Sequence, residues 1–250
     1  MQNTKKRIVI IGATSAIAEH CARLWVKDTH VELILVGRNA QKTENVATDL
    51  RVRNPQTLIS VIKADFINAL AIQQCVDSIV AGGVVDTVLI AHGSLPDQTL
   101  CEQDLSAVNE ALQVNGISPV LFAEAFAGTM QKANLGTLAI IGSVAGDRGR
   151  KSNYIYGSAK GLVTRYTQGL QHRLANTAVK VVLIKPGPTE TPMTSHLKQQ
   201  GGLAPVEVVA KIIVEGINTA KPVIYAPAKW ALIMMVIRHL PRFVFNKLNI

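Results

Sequence analysis

Tyr156 and Lys160 stand four positions apart in the stretch Ser152-Asn-Tyr-Ile-Tyr156-Gly-Ser-Ala-Lys160. Apolar residues recur around them at helical spacing, at Ala159, Leu162, Val163, Tyr166, Leu170 and Leu174. Residues four apart on a helix share a face, so the phenol and the ammonium point the same way. A free tyrosine titrates near pH ~10, too high for proton work at neutral pH. A neighbouring cation favours the phenolate and lowers that value. Such a pair is suited to general acid/base chemistry. The same spacing also arises by chance on amphipathic helices, so its meaning depends on the rest of the chain.

A second set of residues suits a phosphate-bearing ligand. Arg7 to Ile11 is a short apolar, β-branched run that reads as a buried parallel strand. It feeds Gly12-Ala-Thr14-Ser15-Ala16-Ile17-Ala18, and a helix follows with Ile17, Cys21, Leu24 and Trp25 inward. A strand, a tight turn of small residues and a helix N-terminus together offer N–H groups to a pyrophosphate. Thr14 and Ser15 can add hydroxyl donors. The usual fingerprint has glycine at the positions of Gly12, Ala16 and Ala18, and only the first is glycine here. Alanine still permits close approach if its φ stays negative. The second strand, Val31 to Val36, ends at Gly37-Arg38-Asn39. An acid at that place would bind a ribose 2′-hydroxyl, whereas Arg38 suits a 2′-phosphate, which favours NADPH over NADH.

Strands and helices alternate along the rest of the chain. A polar helix over 41–53 precedes a strand from Leu58 to Ala64, which ends in Asp65-Phe66. An acid there could hydrogen-bond an adenine amine. A helix with Ile72, Val76, Ile79 and Val80 inward leads to a strand from Val84 to Ala91, then His92-Gly93. Residues 100–133 read as mostly helical, with Asn115 beside Gly116 and Pro119, a local irregularity or a plain surface asparagine. Thr137 to Ile141 is a strand ending in Gly142-Ser143, and the helix of Tyr156 and Lys160 follows. Val179 to Ile184 is a strand, then a rigid turn through Pro186, Gly187, Thr189 and Thr191 and a mobile loop from Met193 to Ala204. Pro205 is expected at the first position of another helix, and Val223 to Ala226 is a last strand. The expected fold is α/β, a single doubly wound Rossmann-type parallel sheet with helices on both faces. It is expected over residues 1–226, with 227–250 as a separate tail. Ser143 and the start of the Tyr156 helix then fall at the C-terminal edge of the sheet, where such folds bind ligands.

This ordered combination resembles the short-chain dehydrogenase/reductase family across nearly the whole chain up to about Ala226. The resemblance rests on Gly12-x-x-x-Ala16-x-Ala18, Asp65, Ala91-His92-Gly93, Asn115, Ser143, Tyr156-x-x-x-Lys160 and Pro186-Gly187 with Thr191. It implies four catalytic roles. Tyr156 exchanges the proton of the carbonyl or alcohol. Lys160 lowers the Tyr156 pKa and holds the nicotinamide ribose. Ser143 hydrogen-bonds the substrate oxygen. Asn115 holds a water that links Lys160 to solvent. The cofactor, NADPH, is expected against Gly12, Thr14, Ser15, Ala16, Ile17, Arg38, Asp65, Phe66, Ala91, His92, Gly93, Tyr156, Lys160, Pro186, Gly187, Thr189 and Thr191. The family usually carries Asn-Ala-Gly where this chain has Ala91-His92-Gly93, and His92 is expected to be structural.

Composition sets outer limits. The 250 residues are 48% hydrophobic, which suits one folded α/β domain. Cys21, Cys75 and Cys101 are scattered and form no metal-type or disulfide-type pair, so no metal is expected and the thiols suit a reducing compartment. The basic start at Lys5-Lys6-Arg7 lacks the long apolar stretch of a signal peptide, so a cytoplasmic location is expected. The net charge of +9 is dispersed and aromatics are only 4%, which argues against nucleic-acid binding.

The C-terminal end differs in character. From Ala228 to Lys247 it is densely apolar, and no Asp or Glu occurs after Glu215, while Lys221, Lys229, Arg238, Arg242 and Lys247 do. A helix on the inner membrane surface fits this pattern. A helix sealing the sheet's flank or a dimer fits it as well. The tail and the Gly-Ala-Thr-Ser turn are similar to the subgroup that contains the decaprenylphosphoryl 2-keto-pentose reductase, whose members reduce a keto-sugar on a polyprenyl phosphate. The expected activity is NADPH-dependent reduction of a ketone on a small-molecule or lipid-linked substrate, by a homodimer or homotetramer. The alternatives are a soluble 3-oxoacyl-type reductase served by an acidic carrier protein, and a non-catalytic dinucleotide-binding scaffold.

Overall fold

The computed structural model describes residues 5–28, 30–195 and 202–248. Seven strands form one parallel sheet: β1 Lys6–Ile11, β2 Val31–Gly37, β3 Leu58–Lys63, β4 Thr87–Ile90, β5 Thr137–Ile141, β6 Lys180–Pro186 and β7 Val223–Ala226. Their order is β3-β2-β1-β4-β5-β6-β7. The chain winds outward from β1 to β3, then returns to lay β4 on the other side of β1. This reversal opens a crevice beyond the C-terminal ends of β1 and β4, where Gly12 and His92 meet.

The central strands are apolar at successive positions because both faces are covered. Ile8, Ile10, Leu33 and Leu35 face one layer, against α1 (Ala16–Trp25), α2 (Ala40–Arg53) and α8 (Val206–Asn218). Val9, Ile11, Ile34 and Val36 face the other, against α3 (Ala69–Ala81), α6 (Ser118–Ala133) and α7 (Tyr154–Arg173). The side-chain period of two in a strand divides the residues this way. Phe122 and Phe126 on α6 are fully buried and fill the second layer.

Several element boundaries differ from the expected ones for local reasons. β4 begins at Thr87, not Val84, because the Asp86 carboxylate accepts the Arg7 N–H at 2.7 Å. β6 runs on to Pro186 because β7 keeps pairing with it through Ala226. The stretch expected to be mostly helical contains α4 (Gln98–Gln103), α5 (Leu105–Leu112), a π-helical turn at Gln113–Ile117 and then α6. Asp104 ends α4 and caps α5, accepting the Ser106 N–H at 2.8 Å. Pro205 stands one residue before α8 as its cap, not inside it. Part of the loop expected to be mobile, 196–201, lies outside the described residues. Its two flanks are pinned together, since Ala204 N–H donates to Pro188 and Glu190 N–H donates to Ala204.

The C-terminal tail forms α9 (Lys229–His239) and α10 (Arg242–Phe245), separated by Pro241. Among the described residues no helix is long and apolar enough to cross a membrane. The tail is docked on the body. Trp230 packs against Gly187 so closely that a Cβ there would meet its indole nitrogen at 1.9 Å. Arg148 donates to the carbonyls of Ile237 and Leu240 and lies 3.7 Å over the Phe245 ring.

Candidate active site

Two adjoining cavities open at the C-terminal edge of the sheet. The first holds about 440 Å³ and is lined by Gly12, Thr14, Ser15, Ala16, Ile17, Arg38, Phe66, His92 and Gly93 among others. The second is lined by Ala91, His92, Gly93, Ser143, Tyr156, Lys160, Pro186, Gly187, Thr189 and Thr191 among others. Every residue expected at the site therefore lines one of these cavities except Asn115 and Asp65.

Gly12 has φ +84°, and a Cβ on it would lie 2.6–2.8 Å from His92 Cβ, N and Cα. Only glycine meets both conditions. Ala16 and Ala18 lie inside α1, where φ is negative, so neither alanine strains the turn. Ser15 caps α1 without spending its side chain on the cap. The first N–H groups of that helix have no intrahelical acceptor and suit an anion. Glu19 also lines the cavity, and Arg23 pairs with its carboxylate. Arg38 and Lys42 stand together on the wall, so the expected cation is joined by a second one, one turn into α2. The cavity's glycine turn, free hydroxyl and two cations fit a dinucleotide carrying a 2′-phosphate.

Asp65 lies outside both cavities. Its carboxylate accepts the N–H groups of Ile67 and Asn68 at 2.7 and 3.0 Å, which holds its pKa below the usual range. It sits in a neighbouring depression with Arg38 and Phe66. His92 lines both cavities and is half-satisfied. Its Nε2 and the Ser118 hydroxyl are 2.8 Å apart, while Nδ1 is buried without a partner. Phe66 and Phe122 meet its ring edge-on. Burial first, then the charges of Lys160 and Arg38, lowers its pKa to about 3, so it is neutral.

In the second cavity Tyr156 and Lys160 share one face of α7, and Lys160 Nζ lies 5.8 Å from the Tyr156 ring centre. Lys160 is only 2% exposed and donates to Ile141 O at 3.1 Å. Burial lowers its pKa to about 8. For Tyr156 the expectation of a lowered pKa is reversed. Burial raises it to about 12, and the Ser143 hydroxyl only partly offsets this. Desolvating a phenolate costs more here than the ammonium returns at that distance. Ser143 accepts the Ala145 N–H at 3.1 Å, which sets its side chain at the end of β5.

Asn115 is fully buried behind the wall, inside the π-helical turn. Its Nδ2 donates to Ala111 O at 2.9 Å and its Oδ1 accepts the Ser94 N–H at 2.8 Å. A Cβ on Gly93 would lie 2.9 Å from Asn115 Oδ1 and 3.6 Å from Lys160 Nζ. The missing side chain leaves the asparagine and the lysine facing a shared space. Thr189 spends its hydroxyl on Gly187 O at 2.9 Å, and Thr191 lies 3.2 Å from the Thr194 hydroxyl.

Sequence reasoning passed over Lys42, Leu95, Arg150, Asn153 and Thr194, all of them wall residues. Lys42 could have been found from its place one turn beyond Arg38. The other four lie on loops or at loop ends, where no periodicity marks the inward side.

The family profile described as short chain dehydrogenase matches residues 6–202. The chain belongs to the short-chain dehydrogenase family. Two relatives of this short-chain dehydrogenase are uncharacterized oxidoreductases. One, from Streptomyces coelicolor, is 29% identical over 97% of this chain and 96% of its own. The other, from Mycobacterium tuberculosis, is 30% identical over 96% of both chains. Solved structures share the fold. A short-chain dehydrogenase from Sphingobium yanoikuyae in complex with NADPH has TM-score 0.83 and 18% identity over 98% of this chain and 96% of that one. One from Burkholderia cenocepacia in complex with NADP has TM-score 0.82 and 16% identity over the whole of both chains. This short-chain dehydrogenase is an oxidoreductase.

Proposed function

We propose that the protein is an NADPH-dependent carbonyl reductase. The observation that carries this reading is the grouping of Tyr156, Lys160 and Ser143 on one cavity wall, next to a phosphate-binding cavity with Arg38 and Lys42. When bound, the reduced nicotinamide supplies the hydride. Negative charge then grows on the carbonyl oxygen. Ser143 donates a hydrogen bond to that oxygen, and Tyr156 donates its proton to it. The phenol, its pKa raised by burial to about 12, is protonated at neutral pH and can donate. Lys160, charged below about pH 8, stabilises the phenolate left behind. Asn115 holds the water through which Lys160 exchanges protons with solvent. Arg38 and Lys42 select the 2′-phosphate.

The finer reading is a keto-sugar on a lipid carrier, met at the inner membrane surface. It is supported by Leu232, Met235, Val236 and Phe243, which are exposed on the tail beside Lys229, Arg238 and Arg242. On this reading the catalytic domain is 1–226, residues 227–250 serve as the membrane-facing unit, and the chain works in the cytoplasm as a homodimer or homotetramer.

The test is a fluorescence titration with NADPH and NADH, on the native chain and on Arg38→Met. NADPH should bind the native chain at least ~10-fold more tightly, the strength of a charge-assisted contact to phosphate. Arg38→Met should erase most of that difference. Failure of both nucleotides to bind would refute the reductase reading.

A further inference from the structure

We propose that the substrate carries an anionic group, a carboxylate or a phosphate, which Arg150 grips while the carbonyl lies at Ser143 and Tyr156. This rests on the reductase reading and names the substrate class for the same cavity.

Arg150 stands between the short helical turn at Val144–Gly146 and the start of α7, on the wall shared with Ser143, Tyr156 and Lys160. Two charged neighbours that precede it are committed. Asp147 pairs with Lys185 and accepts the Tyr225 hydroxyl at 2.8 Å. Arg148 is held by the tail carbonyls. These two anchors hold the loop just ahead of Arg150, which lines the cavity. Its Nε is closed off from solvent and has no acceptor among the described residues. Among the described residues no Asp or Glu lines this cavity. A guanidinium stays charged at any working pH, and a buried N–H without an acceptor destabilises the fold. Burial works against the charge, lowering the Arg150 pKa. An oxyanion supplied by a ligand would satisfy it in the planar, forked geometry that guanidinium favours.

Asn153 points to the same conclusion independently. It occupies the N-cap of α7, where an asparagine side chain ordinarily accepts a helix N–H, yet it makes no such bond. Its Oδ1 is instead buried without a donor among the described residues, and the residue lines the same cavity. A cap worth about 1 kcal/mol is thus forgone. Its free amide complements a hydroxyl beside the acid group. Leu95, Ala145 and Met193 supply apolar wall for the body of the substrate.

The experiment is titration calorimetry on the full-length protein saturated with NADP+, using benzoate, phenyl phosphate and neutral benzamide as probes. At least one anion should bind about 10- to 100-fold more tightly than benzamide, the range of a charge-assisted hydrogen bond. The better anion identifies the acid as carboxylate or phosphate. Arg150→Met should remove the preference and leave benzamide unchanged, while Arg150→Lys should keep part of it. Anions that bind no better than benzamide to the native protein overturn the proposal, whatever the variants do. So does a preference that survives in Arg150→Met. NADP+ binding, measured first, judges the reductase reading separately. If NADP+ does not bind, that reading fails, and the same titration without nucleotide still decides the role of Arg150.

Discussion

Replacing Lys160 with methionine should stabilise the protein at neutral pH while it abolishes turnover. Lys160 is 2% exposed, and among the described residues it has no carboxylate partner and donates to the Ile141 carbonyl. Burial lowers its pKa from 10.5 to about 8. The charged form is therefore disfavoured in the folded state. That penalty is fully present below about pH 8 and fades as pH rises towards 10.5, where the unfolded chain also loses the proton. Its size is about 3 kcal/mol, at about 1.4 kcal/mol per tenfold change in proton affinity. Methionine keeps most of the volume and removes the charge. It also loses the hydrogen bond to Ile141, worth about 1 kcal/mol. The net gain is about 1–2 kcal/mol near pH 7, or roughly 2–4 °C in Tm per kcal/mol. Urea unfolding of both proteins at pH ~7 and pH ~10 measures it. The advantage should shrink with rising pH until the native protein is the more stable. A variant that is less stable at pH ~7, or a difference that ignores pH, would refute a buried, unpaired ammonium.

Tyr156→Phe should lower kcat by about 10²–10⁴, the contribution of a positioned proton donor, while NADPH binds as before. Ketone reduction by the native protein should fall as pH passes about 8, where Lys160 loses its charge; a flat profile to pH ~10 would remove Lys160 from the proton step. Asp147→Ala leaves Lys185 buried and unpaired, with a side chain only 4% exposed, and should cost about 3–5 kcal/mol in urea unfolding. A loss below about 1 kcal/mol would mean that the pair does not hold the loop. On the tail, Leu232→Ser with Phe243→Ser should abolish flotation with vesicles rich in anionic phospholipid. Full-length protein that stays off such vesicles ends the membrane reading.

Much of the fold was legible because parallel strands buried on both faces must be continuous apolar runs. Thr137–Ile141 and Val223–Ala226 match their expected limits for that reason. Around Asn115 the sequence left two readings open, a local irregularity or a surface asparagine, and its full burial inside the π-helical turn decides for the first. Boundaries set by side chains were not legible. Asp86 shortens β4 by capturing an N–H of a strand 79 residues away, which no local pattern records. The run Asp147-Arg-Gly-Arg150 shows the same limit. Nothing in the sequence marks where its charges go, yet Asp147 pairs with Lys185, Arg148 holds the tail and Arg150 lines the cavity.

The sequence alone determined which groups are available and in what order along the chain. Gly12 opens the turn, Arg38 follows the second strand, and Tyr156 stands one turn from Lys160. These are matters of local spacing, and helix and strand periods convert spacing into direction. Tertiary structure decided the electrostatics. Whether Tyr156 titrates above or below its ordinary value depends on how much water the fold removes and how near it brings the ammonium. The spacing of the two is local to α7, but the burial is supplied by elements far apart in sequence. Here burial prevails, so the phenol is held as a proton donor and the lysine as a weak, buried cation.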